Sequence, residues 1–518
     1  MKNPVIKNIK PPFVEKSDYF GINMTDAFLK TDLARLKALI NEAIGYIPDN
    51  KIDYRYVTIY YDLGTAFDNV NILLFEFFRE KEISDENIKI INQNKEQALR
   101  FYRSALYCFN SGKLDKYKAH IHIRELEYKL LTNYANALVH VSRFLEAFRI
   151  YSLVIQRNPS FDITKGSFGT ALLDFSNFIE PSNNRDLLAF YSNYYLEIAI
   201  CSKHHEILES FKENYLKAQA SIPSELKEAK DVIYNRAKIE IIKMNDSYRN
   251  WIKDKCLFLS VLNDLPEIPA EFLIDDINLP SLSFDSEKIS VPIVFHMFNQ
   301  IKTTYLYSRY LLYKSTVLKE GNEYFEDSQL INTKDNCVFN IASEELKQSL
   351  NLSYSIFDKI ATLINYHWEI GVKEKDVNKN SIWWKEFRGK SSYKYDRVLN
   401  KEKNPPLNGL YWLIQDFKVS YVEGLDPENK VIKRLRDNNE HKYLFNYNGI
   451  ETHEDNIAYH IDNGDLKTIC FNTLSLAREA IVYLYCAIYI EECYRNEDFN
   501  YTSHIDNYIE LSIFDESK

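Results

Sequence analysis

The chain has 518 residues, 45% apolar, 27% charged and 14% aromatic, with a formal net charge of −10. That length supports two or three domains with cores of their own. The negative balance excludes a chain-wide positive field that would drive non-specific nucleic-acid binding, so any such contact must come from a local basic surface.

Only 13 Gly and 14 Pro interrupt the chain, which favours long helices over many short strands. Seven Cys are scattered (108, 201, 256, 337, 470, 486, 493) with no CxxC pair, the pattern of free thiols in a reducing compartment rather than of a zinc knuckle. Residues 1–27 read as an N-terminal arm; MKNPVIKNIKPPFVEK has no apolar core of a secretory signal. The run AIVYLYCAIYI is too short to span a bilayer. A cytoplasmic protein without a membrane partner is expected.

Residues 28–215 read as helical repeats. VTIYYDLGTAFDNV supplies a first helix with Leu63, Gly64 and Phe67; KEQALRFYRSAL supplies a second with Ala98, Tyr102 and Ala105. The separation of Gly64 from Ala98 leaves about 22 residues, NILLFEFFREKEISDENIKIIN, that look inserted into one unit. LLTNYANALVHVSRFLEAFRIYSLVIQRNPSF then sets Leu131, Tyr134, Ala135, Leu138, Ala147, Tyr151 and Pro159 at the offsets of a tetratricopeptide (TPR) unit. Small Ala135 and Ala147 let two helices approach, Leu138 and Tyr151 fill the space between them, and Pro159 ends the second. Gly169, with Phe168 and Leu172, follows Ala135 by about 34 residues, one such period. The whole is an irregular TPR-like solenoid, with a concave face suited to a protein or peptide ligand.

Residues 216–260 read as one long connecting helix. Residues 261–292 contain Pro266, Pro269, Pro280 and Pro292 and read as a strap docked on a neighbour. Residues 293–518 read as a helical bundle. IVFHMFNQIKTTYLYSRYLLYKS is a long amphipathic helix, and SEELKQSLNLSYSIFDKIATLINYHWEIG is a second, capped by Ser343. PLNGLYWLIQDFKVS is a short third, and NTLSLAREAIVYLYCAIYIEECYRN is apolar nearly all round and therefore central. The fold class is all-α.

Asp426-Pro427-Glu428 opens a further helix, which carries Arg434-Leu435-Arg436-Asp437-Asn438-Asn439-Glu440-His441. Arg436 stands about 140° around the axis from His441, whereas Arg434, Asp437 and His441 share a face. Asp437 is placed either to fix the imidazole tautomer or to join a salt-bridged network. Arg434 is a structural or phosphate-steering charge. A solvated polar helix face is the plainer account of all four.

Arg-x4-His occurs once in the chain. With a polar residue at its second position and a place in a C-terminal helical bundle, the segment resembles the motif of the HEPN (higher eukaryotes and prokaryotes nucleotide-binding) superfamily. The resemblance covers roughly 293–500. WIKDKCLFLSVLNDL and VPIVFHMFNQIKTTYLYSRYLLY are similar to a bacterial subgroup that joins TPR-like repeats to a C-terminal HEPN domain. The resemblance implies a metal-independent endoribonuclease acting as a homodimer on RNA (tRNA or mRNA), often a toxin or an antiphage abortive-infection effector, with Arg436 and His441 catalytic and Asp437 their polar partner. Many members are inactive nucleotide or RNA binders, so a non-catalytic scaffold or sensor is the alternative. The chemistry suits the residues: His exchanges protons near neutral pH and Arg presents a charged fork to phosphate. No cofactor is implied.

Trp383 and Trp384, followed by Lys385, Arg388, Lys390, Lys394 and Arg397, form either a basic aromatic loop able to hold RNA or a Trp pair packed on the bundle. His204 and His205 lack a second half for a metal site and read as helix surface. His296 and His367, in apolar stretches, read as core histidines, and Cys486 and Cys493 as core. No P-loop, GxGxxG or GxSxG occurs.

Overall fold

A computed structural model describes residues 14–47, 52–78, 85–117, 120–202, 208–222, 246–280, 282, 293–318, 333–387, 390–393, 404–417, 430–450 and 452–498. Helices α1 (Val14–Leu29), α2 (Leu33–Tyr46), α3 (Val57–Phe78) and α4 (Asp85–Asn110) enclose a first core that includes Phe20, Met24, Leu36, Ile40, Leu63 and Val70. The segment read as an arm is therefore helical from Val14, and Phe20, Met24 and Ala27 form its buried stripe at helical spacing. A Cβ at Gly64 would meet the Tyr102 ring at 2.7 Å, so glycine lets α3 and α4 close up. Of the residues that looked inserted, 71–78 prolong α3 and 85–92 open α4, while 79–84 lie outside the described residues. Asn71 ties the extensions together, donating to the Ile91 carbonyl at 3.2 Å and accepting from Asn94 Nδ2 at 2.9 Å.

Two helical hairpins follow. The first pairs α5 (Ile121–His140) with α6 (Phe144–Arg157), and both Ala135 and Ala147 are fully buried. The second pairs α7 (Asp162–Ser176) with α8 (Asn183–Ile200); a Cβ at Gly169 would lie 2.9 Å from the Ser192 carbonyl, and Ser192 Oγ donates to the Gly169 carbonyl at 2.7 Å. Helix α9 (Leu208–Ser221) packs on the second hairpin.

Of the expected connecting helix, residues 223–245 lie outside the described residues; α9 ends at Ser221, and α10 (Asp246–Asp254) is followed by Cys256, whose left-handed φ of 52° breaks the helix. The described part of the Pro-containing strap is docked, with Leu262, Leu265, Leu273 and Ile277 buried, as are Leu257 and Phe258 just ahead of it. Its carbonyls are satisfied by buried cations. Arg478 donates to the Phe258 and Ser260 carbonyls at 2.6 and 2.8 Å and grips Asp264 bidentately, while Arg309 grips Asp275 at 2.8 Å through both nitrogens. A loop can cross a core only when its backbone groups are paired in this way.

The C-terminal bundle comprises α11 (Ile293–Tyr313), α12 (Ile341–His367), α13 (Pro405–Gln415), α14 (Lys430–His441) and α15 (Asn463–Asp498). The cap of α12 is Asn340, whose Oδ1 accepts the Ser343 N–H at 2.9 Å, rather than Ser343 itself. Every residue of α15 from Thr473 to Ile488 is buried. By length and composition this helix could cross a bilayer, but 89% of its apolar window is inside the fold. The fold is all-α, with two small sheets among the described residues. β1 (Trp384–Phe387) and β2 (Lys390–Tyr393) form a hairpin. β3 (Tyr443–Tyr447), β4 (His453–Glu454) and β5 (Ala458–Asp462) form a sheet of order β3-β5-β4, with β3 and β5 parallel.

Beyond the first core, one hydrophobic cluster of the described residues runs from Val57 to Ile488 and so joins repeats to bundle. A buried ionic seam lies along the junction. Asp416, at the C-cap of α13, pairs with Arg103 of α4 and Arg143 at the head of α6, and Glu479 of α15 pairs with Arg149. The α5–α6 turn fits against Gly409 of α13, where a Cβ would stand 2.3 Å from the Ser142 carbonyl. Gly409→Ala must displace that backbone, and a loss of about 1–3 kcal/mol in chemical denaturation is expected.

Candidate active site at the end of helix α14

Helix α14 turns Ile432, Leu435 and Asn438 inward at three-residue spacing. Asn438 Nδ2 donates to the Arg434 carbonyl at 2.9 Å and to Glu454 at 3.3 Å, and Asn439 donates to the Lys347 carbonyl of α12 at 3.4 Å. These contacts fix the helix between α12 and the sheet. They also leave Arg436, Asp437, Glu440 and His441 outside the buried stripe.

The Arg436 guanidinium lies over the Tyr354 ring of α12, 5.4 Å from its centroid. Lys379 holds that ring from its other contacts, donating to Tyr354 Oη at 2.5 Å with its ammonium 3.9 Å from the centroid. Arg436 bonds Asp437 Oδ1 at 3.0 Å and Glu440 Oε2 at 3.0 Å. His441 Nε2 stands 3.9 Å from the same Glu440 oxygen. The two side chains that the helical wheel separates therefore converge on one carboxylate, because the long arginine arm folds along the helix towards its C-terminal end.

Burial works against the Arg436 charge, but its bond to Asp437 and the field of Glu440 outweigh burial and raise its pKa. The side chains of Arg436 and His441 are 29% and 69% exposed, so both are open to a polynucleotide. The chemical content is a fixed cation suited to a phosphate oxygen beside a solvent-facing imidazole.

Of the two accounts of Asp437, the salt-bridged network is the one that forms: Asp437 pairs with Arg436, and the carboxylate beside the imidazole is Glu440. His441 is the last residue of α14 rather than an interior one. Arg434 is exposed. The helix start at Asp426-Pro427-Glu428 lies outside the described residues. Trp383 is fully buried and packs edge-on against Tyr411 at 5.5 Å, so it serves the core and cannot stack on RNA. Trp384, Lys385 and Lys390 stand in the β1–β2 hairpin, whose register pairs Trp384 with Tyr393; Arg388, Lys394 and Arg397 lie outside the described residues, as do His204 and His205.

His296 is exposed on α11 rather than in the core. His367 is buried, and burial, reinforced by Arg495, lowers its pKa to about 3, which keeps it neutral. Cys486 is buried and Cys493 half-buried. Glu440 was legible as an i,i+4 partner of Arg436; Tyr354 and Lys379 come from distant segments and leave no local signal.

Residues 285–491 match the family model of LA2681-like HEPN domains. The C-terminal part of this chain is an LA2681-like HEPN domain. The HEPN match runs from ahead of α11 into α15 and so contains the whole Arg436–His441 segment. Membership in HEPN brings a ribonuclease or nucleotide-binding role into view without choosing between them. The helices from α1 to α10 lie outside the HEPN match. No curated protein and no solved structure matches the chain.

Proposed function

We propose that the HEPN domain is an endoribonuclease acting through Arg436 and His441. The observation that carries this reading is their convergence at the exposed end of α14, on a single Glu440 oxygen. In the reaction, His441 takes the proton of a ribose 2′-OH, and the 2′ oxygen attacks the adjacent phosphorus. Arg436 balances the charge of the phosphorane. The P–O5′ bond breaks and the 5′ oxygen takes up a proton, leaving a 2′,3′-cyclic phosphate and a 5′-OH. No metal ion enters this sequence of steps. Two copies paired about a two-fold axis through the α14 face would line one groove with both pairs. The TPR-like half, fused to the bundle through a common core, suits a control element that takes a peptide or protein. A cytoplasmic toxin or antiphage abortive-infection effector acting on tRNA or mRNA is the role in which such control has a use.

One observation favours a second reading. Asp437 and Glu440 together neutralise Arg436, as in a scaffold or sensor whose HEPN domain binds nucleotide or a partner chain and cuts nothing. End-group analysis of RNA incubated with the wild type, Arg436→Ala and His441→Ala separates the two. Cyclic phosphate ends that appear only with the wild type and persist in EDTA support the ribonuclease; intact RNA with the purified, triggered protein supports the scaffold.

A further inference from the structure

The β3-β5-β4 sheet begins two residues beyond His441, and its two faces differ. Leu444, Asn446, Tyr459 and Ile461 are buried against the bundle. The alternate positions point the other way and carry Tyr443, Phe445, Tyr447, His453 and His460. Their rings form a ladder across all three strands. Tyr443 and Phe445 are parallel to within 4° at 5.7 Å, Phe445 meets His460 at 5.6 Å, and His460 lies flat on His453 at 4.5 Å and 1°. The central ring is pinned on both nitrogens, by Tyr447 Oη at 3.2 Å and Asp455 Oδ2 at 3.0 Å. Tyr443, at the end nearest His441, is 61% exposed.

We propose that this outward sheet face is a base-stacking platform for single-stranded RNA, which hands a ribose-phosphate to Arg436 and His441. The inference rests on the ribonuclease reading for its purpose but on the ladder for its evidence. Flat rings held in place, with Tyr443 parallel to Phe445 and His453 parallel to His460, offer nucleobases a surface at little ordering cost, and stacking of this kind tolerates any base. A base laid on the outer face of Tyr443 continues the ladder. Two residues of chain span at most ~7 Å, so the phosphate next to that base lies within reach of the catalytic pair, with exposed Lys442 between them. Two neighbouring acids are engaged by backbone N–H groups of the turns, which fixes them in place without removing their charge. Asp455 accepts the Ile457 and Ala458 N–H groups at 2.7 Å, and Asp462 accepts those of Gly449 and Gly464 at 2.8 and 2.7 Å.

The test is binding of a fluorescein-labelled oligoadenylate to the full chain carrying His441→Ala, read by fluorescence anisotropy. Adding Tyr443→Ala is expected to weaken binding about ten-fold, while Tyr443→Trp retains it. His453→Ala, at the far end of the ladder, is expected to weaken it by a smaller factor, and unchanged melting temperatures certify the fold. The proposal is overturned if the Ala and Trp variants bind alike or if the His441→Ala parent binds no oligoadenylate. It is equally overturned if Tyr443→Ala instead splits a dimer in sedimentation, which assigns the face to a second copy of the chain. Cleavage that survives His441→Ala in parallel assays sinks the assignment of catalysis to that residue and leaves the platform standing.

Discussion

His441→Ala is expected to lower the rate of RNA cleavage by about 10²- to 10⁴-fold, the range of a lost general acid–base group. The fold should not change, because the His441 side chain is 69% exposed and its nearest ionic neighbour, Glu440, already holds Arg436 at 3.0 Å. Arg436→Ala should cost cleavage a similar factor through loss of the phosphate-matched fork. Arg436→Lys should not restore it, since an ammonium neither forks nor stacks over Tyr354 as a guanidinium does. The double variant should fall little below either single one, as groups acting as a unit do. Rates on one RNA substrate, taken with melting curves for all four proteins, check each statement. If His441→Ala cuts RNA at the wild-type rate, catalysis lies elsewhere in the chain.

The long elements of this protein could be read from the sequence because helical periodicity is local. Gly64 against Tyr102, the buried pair Ala135 and Ala147, and α15 as the central helix all follow from spacing and side-chain size. The errors arose where distant residues decide. Trp383 could be read either as a nucleic-acid ligand, because cations follow it in sequence, or as packed on the bundle, and Tyr411, from another segment, decides for the core. His296 looked internal because its neighbours are apolar, but α11 turns it outward. The β3-β5-β4 sheet has strands of two to five residues, too short for an alternating pattern to stand out. The Arg-x4-His segment was legible as a motif, but its carboxylate wiring was not. Asp437 has the better spacing to His441 along the helix, whereas the reach of the Arg436 arm draws Asp437 away and leaves Glu440 beside the imidazole.

Asp416→Ala is expected to destabilise the whole chain by about 3–5 kcal/mol, the cost of leaving buried charge uncompensated. Asp416 is 1% exposed and accepts from Arg103 at 2.7 and 3.3 Å and from Arg143. Removing it takes the shared buried carboxylate from both guanidiniums at the junction of repeats and bundle, leaving Arg143 to Glu146 and the more distant Glu479 and leaving Arg103 its bond to Tyr134. Burial alone would raise its pKa, but the two cations overrule burial and hold the carboxyl below its ordinary value. A carboxyl depressed on folding contributes stability that is full above its unfolded pKa of about 3.9 and is lost as pH falls through the lower folded value. Urea melts should therefore show the wild-type advantage over Asp416→Asn at neutral pH shrinking in acid below that point. Replacing Arg103 and Arg143 by Met alongside Asp416→Leu and Glu146→Gln, which removes the carboxylate that Arg143 also holds, should recover part of the loss, because the paired charges then go together. Since the seam joins α4 and α6 to α13 and α15 within one core, the two halves should also melt in a single transition. Independent melting of the repeats, or an Asp416→Ala cost below about 1 kcal/mol, would show that the seam does not bind them. A ligand on the repeats would then have no rigid route to the HEPN site.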